Sequence, residues 1–215
     1  MERKRITISI QEDLLKKLDQ SIDGVKMRNR SHAIEFFLSE SLNVAKIETA
    51  IIMAGGKGAL RLIPAIENSI ELLKNYGVTN IIIAIGYLGE KVKQNIGNGK
   101  KNNLNISYIE GGEGTAGALS LLKDKIKNTF IVVNLDEIMN INFEELVNFH
   151  LSHKPLSTIA TENTKNLKGY YVFEPEIFAL ISEGFSMLEE DIFPKLMKNN
   201  DLLFFPIFRS ELTSE

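Results

Sequence analysis

The chain opens on a strict alternation. In Arg5-Ile6-Thr7-Ile8-Ser9-Ile10, the three isoleucines fall on one face and Arg5, Thr7 and Ser9 on the other. A period of two predicts a strand with one buried and one solvent face. The period then lengthens. Leu14, Leu15, Leu18 and Ile22 recur at helical spacing and predict a helix from Gln11 to about Ile22. Glu12 and Asp13 sit in its first turn, where acidic groups complement the helix dipole. Asp23-Gly24 ends it. Ala33, Ile34, Phe37, Leu38 and Leu42 make a second stripe and predict a helix over 30–42, capped by Asn29 or Ser31. A unit of roughly 45 residues with one strand buries too little core to stand alone, and its strand leaves an open edge. Pairing that edge with a second copy resolves both, so the pattern predicts a homodimer through the N-terminal strand.

From Thr49 the texture becomes α/β. Short apolar runs at 50–54, 80–85, 106–109 and 129–135 read as strands, and 65–76, 89–95 and 116–126 read as helices between them. The run Asn80-Ile81-Ile82-Ile83-Ala84-Ile85 is apolar throughout, as a parallel strand covered on both faces must be. Strands alternating with helices predict right-handed crossovers and a parallel sheet, whose ligands bind beyond the carboxyl ends of the strands. Gly55-Gly56, Glu113-Gly114-Thr115 and Asp136 fall at those ends. The expected domains are 1–45 and 48–215, joined by a short junction over 43–48.

Charge changes the picture locally. The net charge is −3 over 215 residues, so the molecule as a whole is no general binder of nucleic acid. Yet Arg3, Lys4, Arg5, Lys26, Arg28 and Arg30 cluster at the first strand and the start of the second helix. There is no cysteine, which excludes disulfides and thiolate metal sites. No apolar run reaches the length of a membrane span and no secretory leader is visible, so no membrane partner is expected and a cytoplasmic location is.

The strand, turn, two helices and cap resemble the ribbon-helix-helix family of DNA-binding proteins, the β-ribbon readers of the Arc and MetJ type. The resemblance covers residues 2–43. It implies that Arg5, Thr7 and Ser9 reach base edges of double-stranded DNA in the major groove. It also implies that Asn29, Arg30 and Ser31 hold a phosphate at the start of the second helix, with Arg3 and Lys4 adding phosphate contacts.

The second domain resembles the nucleotidyltransferases that make nucleotide sugars. The matching pieces are Met53-Ala54-Gly55-Gly56-Lys57-Gly58, Gly77-Val78, Gly86-Tyr87, Glu113-Gly114-Thr115-Ala116-Gly117-Ala118-Leu119 and the strand ending in Asp136. Phe149-His150, Gly169-Tyr170-Tyr171-Val172-Phe173 and the run Leu188 to Leu196 follow. The resemblance covers 49 to about 207. It implies a ligand pocket lined by Ala54, Gly55, Gly56, Gly58, Gly114, Thr115 and Gly117, and a weak metal site at Asp136. Mg²⁺ with a nucleotide is the one cofactor this suggests.

Departures from the family pattern are specific. The family's glycine loop reads G-G-x-G-T-R-L-x-P, whereas Arg61 here falls one place late. The P-K-P segment, whose Lys contacts the α-phosphate, is missing, because Pro64 leads straight into a helix. The E-K-P segment is missing too, since Thr161 leads almost directly to Gly169. Leu135 stands where the family has Gly before its metal-binding Asp. The W-x-D-x-G segment with the second such Asp would lie beyond residue 215. Loss of one well-placed charged donor typically costs a factor of about 100–1000 in rate, so no catalytic residue is assigned and a pseudoenzyme is expected. His150 reads as a surface or packing residue, 189–191 as an acidic helix face and 204–208 as core or interface.

The resulting expectation is an α/β protein: a ribbon-helix-helix module followed by a Rossmann-like, mostly parallel sheet domain of nucleotidyltransferase type. It would act as a DNA-binding transcriptional regulator, a homodimer or higher oligomer. The second domain would serve as oligomerisation module or as sensor of a nucleotide or sugar-phosphate effector. An active sugar-1-phosphate nucleotidyltransferase and a structural DNA-organising protein are the alternatives.

Overall fold

The computed structural model describes residues 5–22, 24, 27–42, 47–55, 62–86, 89–135, 141–164 and 167–207. The chain forms two compact units, Met1–Ala45 and Lys46–Glu215.

The first unit is two helices, α1 (Glu12–Gln20) and α2 (Arg30–Leu42). The expected ribbon is not there: residues 5–10 carry no strand, and Ile6 and Ile8 are 71% and 50% exposed rather than buried. The reason is elementary. A strand exists through its ladder, and among the described residues nothing pairs with this segment. No residue of α1 is buried, and Leu14, Phe37 and Leu38 are exposed. Asn29 is the cap of α2, its Oδ1 accepting the His32 N–H at 3.0 Å.

The second unit is built on a seven-stranded sheet. Its strands are β1 (Thr49–Ala54), β2 (Asn80–Ile85), β3 (Asn105–Glu110), β4 (Phe130–Asn134), β5 (Ser157–Thr161), β6 (Tyr170–Phe173) and β7 (Leu202–Pro206). The order is β3-β2-β1-β4-β6-β5-β7. β1 pairs in parallel with β2 and β4, β2 with β3 and β5 with β7, while β6 runs antiparallel to both β4 and β5. Between the strands lie α3 (Ile63–Tyr76), α4 (Gly89–Ile96), α5 (Gly114–Ser120), α6 (Phe143–His153) and α7 (Phe193–Lys198).

Because side chains alternate along a strand, the sheet supports two cores. Ala50, Ile52, Ala54, Ile131 and Val133 face α3 and α6, packing on Ile66, Leu73, Leu146 and Val147. Ile51, Phe130, Val132, Tyr171 and Phe173 face the other way, onto Leu119, Ile177, Leu188 and Phe193. The helix expected over 116–126 stops at Ser120, whose hydroxyl takes the Gly117 carbonyl at 2.7 Å. A side chain that bonds its own backbone competes with the helical ladder, and 121–125 continue as turns.

Candidate functional site

The carboxyl ends of β1 and β4, the third and fourth of the seven strands, meet in a corner at the middle of the sheet's edge. Asn134 is level with Met53 in the β1–β4 ladder. Alternation puts Met53 and Asn134 on the α5 face, so Gly55 faces that side too. Gly55 has no unusual backbone angle, and a Cβ there would meet nothing among the described residues within 4 Å. Among the described residues nothing beside it requires glycine. Gly86, at the end of β2, does serve the fold: a Cβ on it would lie 2.8 Å from the Gly55 carbonyl oxygen.

The glycines of 114–117 have a different use. Gly114 has φ +82°, and a Cβ on it would lie 2.3 Å from the Ser186 carbonyl oxygen; one on Gly117 would lie 2.9 Å from that of Gly184. The Ser186 oxygen accepts the N–H groups of Ala116 at 3.0 Å and Gly117 at 3.1 Å, while Ser186 N–H donates to the Glu113 carbonyl at 3.0 Å. The first turn of α5 is therefore clasped by the chain's own segment 184–188. Asp191 holds that segment in turn, its Oδ2 accepting Met187 N–H at 2.8 Å and Ser186 Oγ–H at 3.3 Å.

A polar cluster stands on the same face. Thr115 Oγ1 accepts the Leu188 N–H at 2.9 Å and donates to Glu189 Oε2 at 3.2 Å. Glu189 Oε1 lies 3.3 Å from the Tyr171 hydroxyl and 3.5 Å from Asn134 Nδ2. Tyr171 is fully buried and Asn134 nearly so, whereas Glu189 is half-buried. Glu189 rides on a π-helical turn, Leu188–Ile192, a geometry found often at functional sites.

The acidic run at 189–191 is thus not a uniform solvated face. Glu189 enters the corner, Asp191 caps a loop and Glu190 is exposed. Only the three-residue spacing of this run from the buried Ser186 could have hinted at the division.

The structure separates the remaining candidates. Ala54 puts its side chain into the core. Gly56, Gly58, Arg61, Asp136, Arg3 and Lys4 lie outside the described residues. Among the described residues no group of three or more His, Asp or Glu side chains could hold a metal ion. Arg5, Thr7, Ser9, Asn29, Arg30 and Ser31 are exposed. Arg30 is engaged with Asp19 in a two-point pair, Nε to Oδ1 and a terminal nitrogen to Oδ2, both 2.7 Å; its hydrogen bond holds the Asp19 carboxyl below the usual value.

His150 is fully buried at the opposite, amino edge of the sheet. Its Nδ1 is 2.8 Å from Thr158 Oγ1 and its Nε2 3.1 Å from Glu174 Oε1, which also accepts from Thr129. Burial pushes its pKa below the ordinary value, outweighing the hydrogen bond and charge of Glu174. It is a packing residue, remote from the corner.

Comparison with known proteins agrees with this architecture. Residues 49–176 match the model of the Nucleotidyl transferase family, more than half of the chain, and the chain belongs to that family. The mannose-1-phosphate guanyltransferase of Saccharomyces cerevisiae is 29% identical over a region covering 67% of this chain and 50% of that protein. A probable mannose-1-phosphate guanylyltransferase 3 of Oryza sativa subsp. japonica is 32% identical, covering 65% of this chain and 39% of that one. The chain spans half, or less, of the length of these curated relatives.

Among solved structures, a putative glucose-1-phosphate thymidylyltransferase from Bacillus anthracis superposes with a TM-score of 0.61 at 18% identity, over 74% of this chain and 87% of that one. HddC from Yersinia pseudotuberculosis, complexed with GMP-PN, gives 0.61 at 18%, over 75% and 91%. These likenesses show the fold. No helix among the described residues is long and apolar enough to cross a membrane.

Proposed function

We propose that the α/β unit is a sugar-1-phosphate nucleotidyltransferase. It takes a nucleoside triphosphate and a hexose 1-phosphate at the corner formed by β1 and β4. The observation that carries this reading is the placement of Gly55, beside which no described residue stands within 4 Å, on the same face as Thr115, Asn134 and Glu189. In the reaction an oxygen of the sugar phosphate attacks the α-phosphorus of the nucleotide and pyrophosphate leaves. Such transfer is positioning and charge neutralisation more than covalent work by the protein. The names of the curated relatives make mannose 1-phosphate and GTP the first pair to try. Mg²⁺ enters as companion of the nucleotide, with Asp136 as its proposed protein ligand.

The test is pyrophosphate release by the intact chain with GTP, mannose 1-phosphate and Mg²⁺. The expected outcome is release above background that is lost in Asp136→Ala. Absence of both turnover and calorimetric binding, over a panel of nucleotides and sugar phosphates, overturns the reading.

A second reading keeps ligand binding without turnover, inside a DNA-binding regulator. Two features favour it. Pro64 lies in the first turn of α3, and only 162–168 separate β5 from Gly169, so the lysine-bearing family segments have no room. Moreover, the apolar side chains exposed in the single chain, Ile6, Ile8 and Leu14, are those a ribbon paired between two copies would cover. Arg5, Thr7 and Ser9 would then face DNA. Sedimentation and gel-shift titration of the intact chain separate the readings: a monomer without affinity for duplex DNA removes the second.

A further inference from the structure

We propose that Glu189 reads hydroxyl groups on the sugar ring of the ligand bound at this corner. The inference rests on the ligand-binding reading above and adds a residue and a chemistry to it.

The fold holds this carboxylate in place but leaves its bonding capacity largely unused. An ionised carboxylate has two oxygens and room for about four donors. Glu189 has one well-placed donor, the Thr115 hydroxyl at 3.2 Å. The Tyr171 proton is committed to the Leu167 carbonyl at the shorter distance of 2.9 Å, so its 3.3 Å approach to Oε1 adds little. Asn134 reaches the same oxygen only at the 3.5 Å limit. Among the described residues no lysine or arginine pairs with Glu189, although it is half-buried at the carboxyl edge.

The charge is surplus to the fold. A glutamine would accept from Asn134 through its oxygen. Its amide would meet the Thr115 hydroxyl, which can accept, and it would avoid the desolvation cost of an anion. Its partners Thr115, Asn134 and Tyr171 are neutral hydroxyls and an amide, and vicinal sugar hydroxyls have the same donor chemistry. Its orientation is fixed beforehand. Leu188 N–H is bound by Thr115, Ser186 clasps α5, and the π-helical turn turns Glu189 toward Asn134 while Glu190 faces water. A side chain ordered before binding loses less freedom when a ligand arrives. On the same face of the sheet no described residue stands within 4 Å of a Cβ position on Gly55.

A nucleotide and a hexose 1-phosphate both carry ring hydroxyls, and the experiment separates them. The intact chain and Glu189→Gln are titrated calorimetrically with GTP, 2′-deoxy-GTP, mannose 1-phosphate and 2-deoxyglucose 1-phosphate, each with and without Mg²⁺. The expected result is an unchanged melting temperature in the variant with a dissociation constant raised at least tenfold for one hydroxyl-bearing ligand. A hydrogen bond to a charged group in a desolvated site is worth that much. Deleting the read hydroxyl from the ligand should weaken the native chain and not the variant, with or without Mg²⁺. Whichever of the two ligand classes shows this coupling names the ring. Glu189→Asp, which keeps the charge and shortens the reach, should lose affinity without lowering the melt.

Equal affinity of native chain and Glu189→Gln for every ligand that the native chain binds overturns the proposal and leaves the site standing. A melting temperature lowered in Glu189→Gln shows a structural carboxylate and overturns it as well. Failure of the native chain to bind any ligand removes the site itself and the proposal with it.

Discussion

Gly114→Ala measures what the clasp on α5 is worth. At φ +82° an L side chain is strained, at a cost of about 1–2 kcal/mol. The new methyl would also stand 2.3 Å from the Ser186 carbonyl oxygen, so the clasping segment must retreat. That retreat breaks or stretches two hydrogen bonds, from Ala116 and Gly117 at 3.0 and 3.1 Å, each worth about 1 kcal/mol. The total is about 3 kcal/mol, which for a domain of this size lowers the melting temperature by about 6–12 °C. Gly184→Ala is the control. It lies in the same clasp with φ +91°, but nothing stands within 4 Å of its Cβ position. It carries the backbone cost alone and should lose about 2–8 °C, less than Gly114→Ala. Thermal melts of the intact chain followed by circular dichroism give the comparison. A Gly114→Ala melt no lower than that of Gly184→Ala would refute the reasoning, since the close approach to Ser186 would then cost nothing.

Two further outcomes follow from residues away from the corner. His150 is buried with a folded-state pKa below its ordinary value of 6.5. The unfolded chain therefore binds the extra proton first, and stability present above pH 6.5 is lost as pH falls toward the folded-state pKa, at up to about 1.4 kcal/mol per pH unit. Denaturant unfolding at pH 7.5 and 5.5 should show this loss, and His150→Gln should flatten it; a native chain equally stable at both refutes it. Asn142 caps α6, its Oδ1 accepting Glu144 N–H at 3.0 Å and Glu145 N–H at 3.3 Å. Asn142→Ala should cost about 1 kcal/mol, or about 2–4 °C in the melt, and an unchanged melt would show the cap to be idle.

The order of strands and helices through residue 134 was legible because each element there satisfies a local rule. The apolar run 80–85 is covered on both faces, and Gly77 closes α3 with φ +111°. The corner was only half legible. Gly55 follows from the end of its strand, whereas at the end of the strand over 129–135 the sequence pointed to Asp136 and not to Asn134. Glu189 does not, because its place depends on a contact with Thr115 at a sequence separation of 74. Hydrophobic period carries no information about such a pairing. The glycines at 114 and 117 mislead for a related reason: a glycine that admits a ligand and one that admits the chain's own carbonyl look alike in sequence. The N-terminal strand shows the converse. Its alternation is plain, but a ladder needs a partner, and the described residues supply none.

The clasp also sets an order of assembly. Strands β1 to β4 and the helices between them all lie within residues 49–134, so they can pair while the chain is still being made. Thr115, by contrast, meets the N–H of Leu188, which follows β4, β5 and β6 in the chain. A nascent chain that has reached only β4 has its half of the sheet but an uncapped first turn on α5. The corner becomes whole only when residues 184–189 arrive. The late piece of folding is therefore the piece that shapes the candidate site. A small molecule that holds Thr115 and Glu189 together would act as a folding aid as well as a ligand.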